Sequence, residues 1–247
     1  MTSSDQESTP VALVTGSGRR LGRQIAYALA QSGFNVAIHY NKSERGAREA
    51  VKRIKNLGRD VIAMKADVSN RQQVYSMIKR VVNHFKKIDL LVNNAAIFID
   101  SPLEKITDNI WDKTLNINLK GVFLCSQIAS KFMVQRKSGK IINIASLGGL
   151  RAWSKHLPYS VSKAGVIMLT KCLAKSLAPY VLVNAIAPGT IIIPNEEGHS
   201  LRHDDPQKFP LRRYGTPSDI TDAVLYLATT STYITGQTII VDGGRSI

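Results

Sequence analysis

A short apolar run, a glycine-rich turn, a helical stretch and a second apolar run follow one another within about thirty residues near the start of the chain. No other feature limits its fold so much. Val11-Ala-Leu-Val14 comes after Pro10 and reads as a short buried strand. Thr15-Gly-Ser-Gly-Arg-Arg-Leu-Gly22 is the turn, and Arg23-Gln-Ile-Ala-Tyr-Ala-Leu-Ala30 has helical composition and stops at Gly33. Asn35-Val-Ala-Ile-His-Tyr40 reads as the second strand. Strand, glycine turn, helix and strand at this spacing form a βαβ unit whose helix N-terminus can hold a pyrophosphate. The alternation of strand and helix patterns continues to Val241 without a linker, repeat or low-complexity tract. The expected fold is therefore one α/β domain with a doubly wound, Rossmann-type parallel sheet and right-handed crossovers.

A second constellation carries chemistry. In Tyr159-Ser-Val-Ser-Lys163 the lysine follows the tyrosine by one helical turn and lies on the same face. A phenol, with its ordinary pKa of about 10, needs a lowered value to act as acid or base near neutrality. The lysine charge favours phenolate, and so would a second cation such as an oxidised nicotinamide. Ser146, thirteen residues before the tyrosine, supplies a hydroxyl that can hold a substrate oxygen beside that phenol.

Together these motifs resemble the short-chain dehydrogenase/reductase family, and the resemblance runs from Val11 to Gly244. Its other marks occur in the family's order. The turn residues Gly16, Ser17, Arg19, Arg20, Leu21 and Gly22 correspond to its cofactor loop. Asp67-Val68 follows the strand Val61-Ile-Ala-Met64, where the family contacts adenine. Asn93-Asn94-Ala95-Ala96 matches the family's Asn-Asn-Ala-Gly except at the last position. Asn118 matches the active-site asparagine, which in the family orders a water for the proton relay. Ile141-Ile-Asn-Ile-Ala-Ser146 matches the strand ending at the catalytic serine, and Pro188-Gly189 the turn beside the nicotinamide. The resemblance implies a catalytic tetrad of Asn118, Ser146, Tyr159 and Lys163, with Lys163 also binding the cofactor ribose. A non-catalytic nucleotide-sensing scaffold would have lost part of that tetrad.

Arg20 replaces the middle glycine of the family's Thr-Gly-x-x-x-Gly-x-Gly, and places a permanent charge where phosphate oxygens can be reached. The second strand ends in His39-Tyr40-Asn41-Lys42-Ser43, without the acidic residue that would bind an adenosine 2′-hydroxyl and repel a 2′-phosphate. Arg19, Arg20, Lys42 and Ser43 favour NADPH over NADH. Arg20, His39-Tyr40, Trp153-Ser-Lys-His-Leu-Pro-Tyr159 and the ending Asp242-Gly-Gly-Arg245 resemble the pteridine-reductase branch. In that branch an aspartate commonly stands where this chain has Ser146, whereas the serine is that of 3-oxoacyl-thioester and other carbonyl reducers. Carbonyl reduction is the expected reaction, and pterin reduction is the alternative. The resemblance also implies a homotetramer, with Arg245 reaching a neighbour's substrate pocket.

Length and composition agree with one compact domain. The chain has 247 residues, 44% of them hydrophobic, enough for a sizeable core. Met1 to Pro10 is polar and expected to be a mobile tail before the domain at 11–247, and residues 190–210 read as a substrate loop. The opening segment lacks the apolar core of a secretory signal and no stretch has transmembrane length, so a soluble cytoplasmic protein is expected. Cys125 and Cys172 read as reduced core thiols, and the five histidines show no metal-binding spacing. The net charge of +15 is spread along the chain without interleaved aromatics, which argues against nucleic acid as partner. It suits the attraction of NADPH and of a small-molecule or acyl-carrier-bound substrate.

Overall fold

The computed structural model describes residues 9–194 and 205–247. Most of the N-terminal segment expected to be a tail (1–8) and the middle of the expected substrate loop (195–204) lie outside the described residues. The elements alternate as read from the sequence: β1 (Val11–Val14), α1 (Arg20–Gln31), β2 (Asn35–Tyr40), α2 (Glu44–Asn56), β3 (Val61–Lys65), α3 (Arg71–Phe85) and β4 (Leu90–Asn93). They continue with α4 (Asp108–Leu115), a π-helical turn (Asn116–Lys120), α5 (Gly121–Gln135), β5 (Gly139–Ile144), α6 (Leu157–Leu177), β6 (Val181–Pro188), α7 (Pro217–Leu225) and β7 (Thr238–Val241).

All seven strands are parallel in the order β3-β2-β1-β4-β5-β6-β7. A parallel sheet needs helical crossovers, and these cover both faces. Successive side chains of a strand point to opposite faces, so β1 alone feeds two cores. Ala12 and Val14 join Ile25, Leu29, Ile54 and Ile220 on one side. Val11 and Leu13 join Ile78, Val81, Leu124 and Met133 on the other. Leu13, Ile25, Ile78, Leu124 and Met133 are fully or almost fully buried, so truncating any one to alanine would cost roughly 2–5 kcal/mol.

The strand order reverses between β1 and β4, both of which neighbour the same gap at the carboxyl edge of the sheet. Ligands of doubly wound sheets bind in that crevice. Six of the segments singled out from the sequence leave a strand at this edge. The glycine turn follows β1, Asn41 to Ser43 follow β2, Asp67 follows β3, Asn94 follows β4, Ser146 follows β5 and Gly189 follows β6.

Candidate active site

The glycine turn is held by close backbone approach. Gly16 has φ +67°, and a Cβ on it would lie 2.9 Å from Ala95 Cα. A Cβ on Gly22 would lie 2.4 Å from Asn94 Nδ2 and 2.5 Å from the Gly16 carbonyl. Thr15 Oγ1 accepts the backbone N–H groups of Asn94 (2.9 Å) and Ala95 (3.0 Å), while Asn94 Nδ2 donates to the Thr15 carbonyl. The loops after β1 and β4 are thereby one rigid unit. A Cβ on Gly18 would fall 2.5 Å from Ser43 Oγ, so the turn also packs on the loop carrying Asn41, Lys42 and Ser43.

Two residues expected to touch cofactor are instead internal braces. Ser17 is fully buried, its hydroxyl donating to the Val14 carbonyl at 2.7 Å and accepting the His39 N–H at 3.0 Å. His39 is 1% exposed, with Nδ1 accepting the Gly16 N–H at 2.9 Å and Nε2 facing the Ala66 carbonyl at 3.1 Å. Burial holds the imidazole pKa below its ordinary value, and the neutral ring has the lone pair that Gly16 requires. Both faces of β2 are covered, and this explains the correction, because His39 near the strand's end is buried on whichever face it takes.

Helix α1, like α2, α5 and α6, begins without a side-chain cap, whereas α3 and α7 are capped. Asn70 caps α3 by accepting the Gln73 N–H at 3.1 Å, and Thr216 with Asp219 forms a capping box on α7. At α1 the N-cap residue Arg19 makes no side-chain cap, and the first turn holds no acidic residue. Its leading amides, with Arg19 and Arg20 beside them at the end of the β1 turn, are a donor set suited to a phosphate. Arg20 has φ +52°, the left-handed conformation that the family's glycine would adopt freely.

On the other side of the crevice, Leu21, Val68 and Ala95 are apolar, and Val68 packs on Gly121. Asp67 is drawn into its own turn, accepting from Ser69 N (2.9 Å) and Ser69 Oγ (2.7 Å). Ala96 is exposed at the crevice rim and Tyr40 is half-buried against the α1–α2 core. Pro188 ends β6, and Gly189 donates its N–H to the Val241 carbonyl at 2.9 Å. A Cβ on Gly189 would lie 2.9 Å from Asp242 Cα, so only glycine fits that turn.

Ser146, Tyr159 and Lys163 come together on this edge. Ser146 ends the extension of β5 and accepts the Gly148 N–H at 3.1 Å. It also bonds the Tyr159 hydroxyl, which lowers the phenol's pKa, but burial acts more strongly and leaves it above its ordinary value. The lysine does not reverse this. Lys163 is 3% exposed, lies 5.7 Å from the Tyr159 ring centroid and donates to the Ile144 carbonyl at 2.6 Å. Burial pushes its own pKa down to about 8. The expectation of a phenol lowered by its lysine is thus corrected for the protein alone. Desolvation of both groups outweighs their attraction, and the phenol keeps its proton at neutral pH.

Asn118 lies in the π-helical turn and is fully buried. Its carboxamide clamps Ile97, accepting the Ile97 N–H and donating to the Ile97 carbonyl, both at 2.9 Å, and reaches Ser162 Oγ at 3.2 Å. Single-turn π segments inside α-helices recur at functional sites, and no sequence pattern announced this one. A buried network of Asn93, Ser126, Asn143 and Thr170 ties β4 and β5 to helices α5 and α6 beneath the site.

Arg245 folds back on its own chain. Its guanidinium donates to Thr190 Oγ1 at 2.9 Å and lies 5.1 Å from the Phe209 ring centroid, while its carbonyl accepts from Arg151. Within the single chain, Arg245 thus links the two flanks of the 190–210 stretch. Cys125 is buried, and burial pushes its thiol up to about 12; Cys172 is exposed on α6, contrary to the core reading. Among the described residues no cluster of His, Cys, Asp or Glu could hold a metal, and no helix is long and apolar enough to cross a membrane.

This arrangement matches known proteins along nearly its whole length. A family model described as enoyl-(acyl carrier protein) reductase matches residues 16–246. The chain is 43% identical to the 3-oxoacyl-(acyl-carrier-protein) reductase FabG of Staphylococcus aureus, over 96% of this chain and 98% of that one. Among solved structures, acetoin dehydrogenase YohF of Salmonella typhimurium superposes with TM-score 0.87 at 32% identity, covering 96% and 95% of the two chains. The chain belongs to the short-chain dehydrogenase/reductase family. A short-chain dehydrogenase of Burkholderia cenocepacia, solved in complex with NADP, superposes with TM-score 0.89 at 32% identity over 96% and 98% of the chains. As a short-chain dehydrogenase/reductase the protein is an oxidoreductase that interconverts carbonyl and alcohol groups.

Proposed function

We propose that this protein is an NADPH-dependent carbonyl reductase acting on a 3-oxoacyl thioester or a similar ketone. One observation carries the reading. Ser146 and a protonated Tyr159 meet at the carboxyl edge of the sheet, above the buried Lys163. Bound NADPH would supply the hydride. The uncapped α1 terminus would hold its pyrophosphate, Arg19, Arg20, Lys42 and Ser43 its 2′-phosphate, and Lys163 its ribose.

Ser146 and Tyr159 hydrogen-bond the carbonyl oxygen and stabilise the negative charge that develops there. Tyr159 then gives its proton to that oxygen, leaving a secondary alcohol. The raised phenol pKa suits this direction, since the acid form is the one populated. Lys163 compensates the phenolate that remains. Asn118 fixes the Ile97 backbone and Ser162 beside the tyrosine, and its side chain is committed to that task. Any relay water would therefore be held by backbone in the π-helical turn.

The FabG relative's name supports a carrier-bound 3-oxoacyl substrate, and the dispersed positive charge suits an acidic carrier. With a serine at position 146 and relatives of this kind, pterin reduction is disfavoured. The protein is further read as a cytoplasmic homotetramer. Val161, Ala164, Met168 and Cys172 form one exposed stripe of α6, and Ile240 is exposed on the edge strand β7. Light scattering tests this, and a monomer would reject it.

The functional reading is tested by following NADPH consumption with straight-chain 3-oxoacyl thioesters, 3-oxo esters and dihydropterins. Turnover of the oxo compounds is expected. Turnover confined to dihydropterins, or none at all, would overturn it.

A further inference from the structure

The mouth of the site is walled with aromatic rings. Trp153 lies parallel to the Tyr159 ring, with 7° between planes and 6.2 Å between centroids. Phe98 meets the same tyrosine edge-on at 4.7 Å and lies tilted against His156 at 4.1 Å. Phe98 comes from the loop after β4, the other two from the segment between β5 and α6.

These rings are held in place. The backbone N–H of Ser101 donates to the Lys155 carbonyl at 2.9 Å, and His156 Nδ1 bonds the Ile99 carbonyl at 3.2 Å, which zips the two loops together. The indole sits against Gly148, two residues after Ser146. A Cβ there would lie 2.8 Å from Trp153 Cε3, so the ring occupies space that only glycine leaves. Yet Phe98, in the same cluster, remains 50% exposed. A large aromatic fixed at a site entrance with half its surface open offers a face to something else.

Unbranched acyl chains gain from any apolar wall. Ring planes fixed edge-on and parallel around the proton donor add an interaction that depends on the partner being a ring as well. We propose that Phe98 and Trp153 select substrates whose carbonyl is carried on a flat aromatic group, so that the enzyme prefers aryl ketones to straight-chain ones. This rests on the carbonyl-reductase reading above.

The test uses two 3-oxo esters that differ only in the group on the reacting carbonyl, ethyl benzoylacetate and ethyl 3-oxohexanoate. In the parent enzyme kcat/KM should be about tenfold higher for the aryl ester, the scale of one or two ring contacts. In Phe98→Leu and in Trp153→Leu the aryl-to-alkyl ratio of kcat/KM should fall about threefold each, and Trp153→Tyr should keep most of the parent's ratio. Should Trp153→Leu fail to fold, the half-exposed Phe98→Leu still decides. A parent that reduces the hexanoyl ester equally well or better overturns the preference and leaves the carbonyl-reductase reading intact. An unchanged ratio in Phe98→Leu overturns the role of the ring. Reduction of neither ester overturns this proposal together with the reading beneath it.

Discussion

Around the glycine turn, the side chains of Thr15, Ser17, His39 and Asn94 direct their polar atoms inward, to backbone groups of the same turn and its neighbouring strands. Around Ser146 and Tyr159, the walls are rings brought from separate loops, with Phe98 half open to solvent. The first region is built so that backbone amides stay where they are, which is what a constant phosphate-bearing group demands. The second has a fixed floor, made of Asn93, Asn143, Thr170 and Lys163, beneath a rim of apolar rings. On the function proposed above, fixed backbone would serve the invariant ligand and side-chain walls the variable one.

The largest expected effect lies on the catalytic floor. Tyr159→Phe removes one oxygen and keeps the ring that Trp153 and Phe98 pack against. Turnover should fall by about two or more powers of ten, the range for losing a general acid, with NADPH affinity and melting temperature close to the parent's. Steady-state kinetics retaining a tenth of parent turnover would remove the proton-donor assignment.

Lys163 tests the same floor through stability. Its amine titrates at about 8 in the folded protein, against 10.5 for the ordinary side chain. Below pH 8 both folded and unfolded chains hold the proton, and the folded one bears the cost of burying the charge. Between pH 8 and 10.5 only the unfolded chain still binds it, so this residue's contribution to stability rises with pH across that window. The full change is on the order of 3 kcal/mol. Denaturation of the parent and Lys163→Met at pH 7 and pH 10 should show the parent gaining relative to the variant. A difference independent of pH would mean that the amine is not depressed.

Much of this contrast can be seen in the sequence, and the remainder has physical reasons for being hidden. The β1-turn-α1-β2 unit and the Ser146, Tyr159 and Lys163 set are local spacings, which a chain displays directly. The cofactor reading failed at Ser17 and His39 because motif position says nothing about which way a strand's last side chains turn. The phenol's raised pKa escaped because desolvation depends on what packs around a group, and that is a property of the whole fold. Cys172 sits in an apolar stretch yet faces outward, since α6 carries apolar residues on two faces. The Phe98–Trp153 wall joins loops far apart in the chain; Trp153 lies in a stretch that resembles a family branch, but Phe98 belongs to no such stretch and its pairing with Trp153 is a product of the fold.

A smaller effect is expected at the phosphate end. Arg20 and Lys42 flank the turn, so replacing both with alanine should weaken NADPH much more than NADH. Each charge-assisted phosphate contact contributes about 1.5–3 kcal/mol, and only NADPH carries the extra phosphate. Fluorescence titration of the two cofactors measures the difference. Equal weakening of both would place these cations at the pyrophosphate shared by the two, and the NADPH preference would lose its basis.

The smallest effect separates what Arg20 does for the fold from what it does for the ligand. With φ +52° it holds a left-handed conformation in which a side chain crowds its own carbonyl, a cost of roughly 1–2 kcal/mol that glycine avoids. Glycine in turn loses more backbone freedom on folding, which takes back part of that gain. Arg20→Gly should therefore stabilise the protein by about 0.5–1 kcal/mol while weakening NADPH, two changes of opposite sign from one substitution. Calorimetry and cofactor titration on the same sample read both. Were the variant less stable than the parent, the guanidinium's contacts within the protein would outweigh the backbone strain. Arg20 would then belong with Ser17 and His39 among the braces, and the contrast between a fixed turn and its charged ligand contacts would fail at this residue.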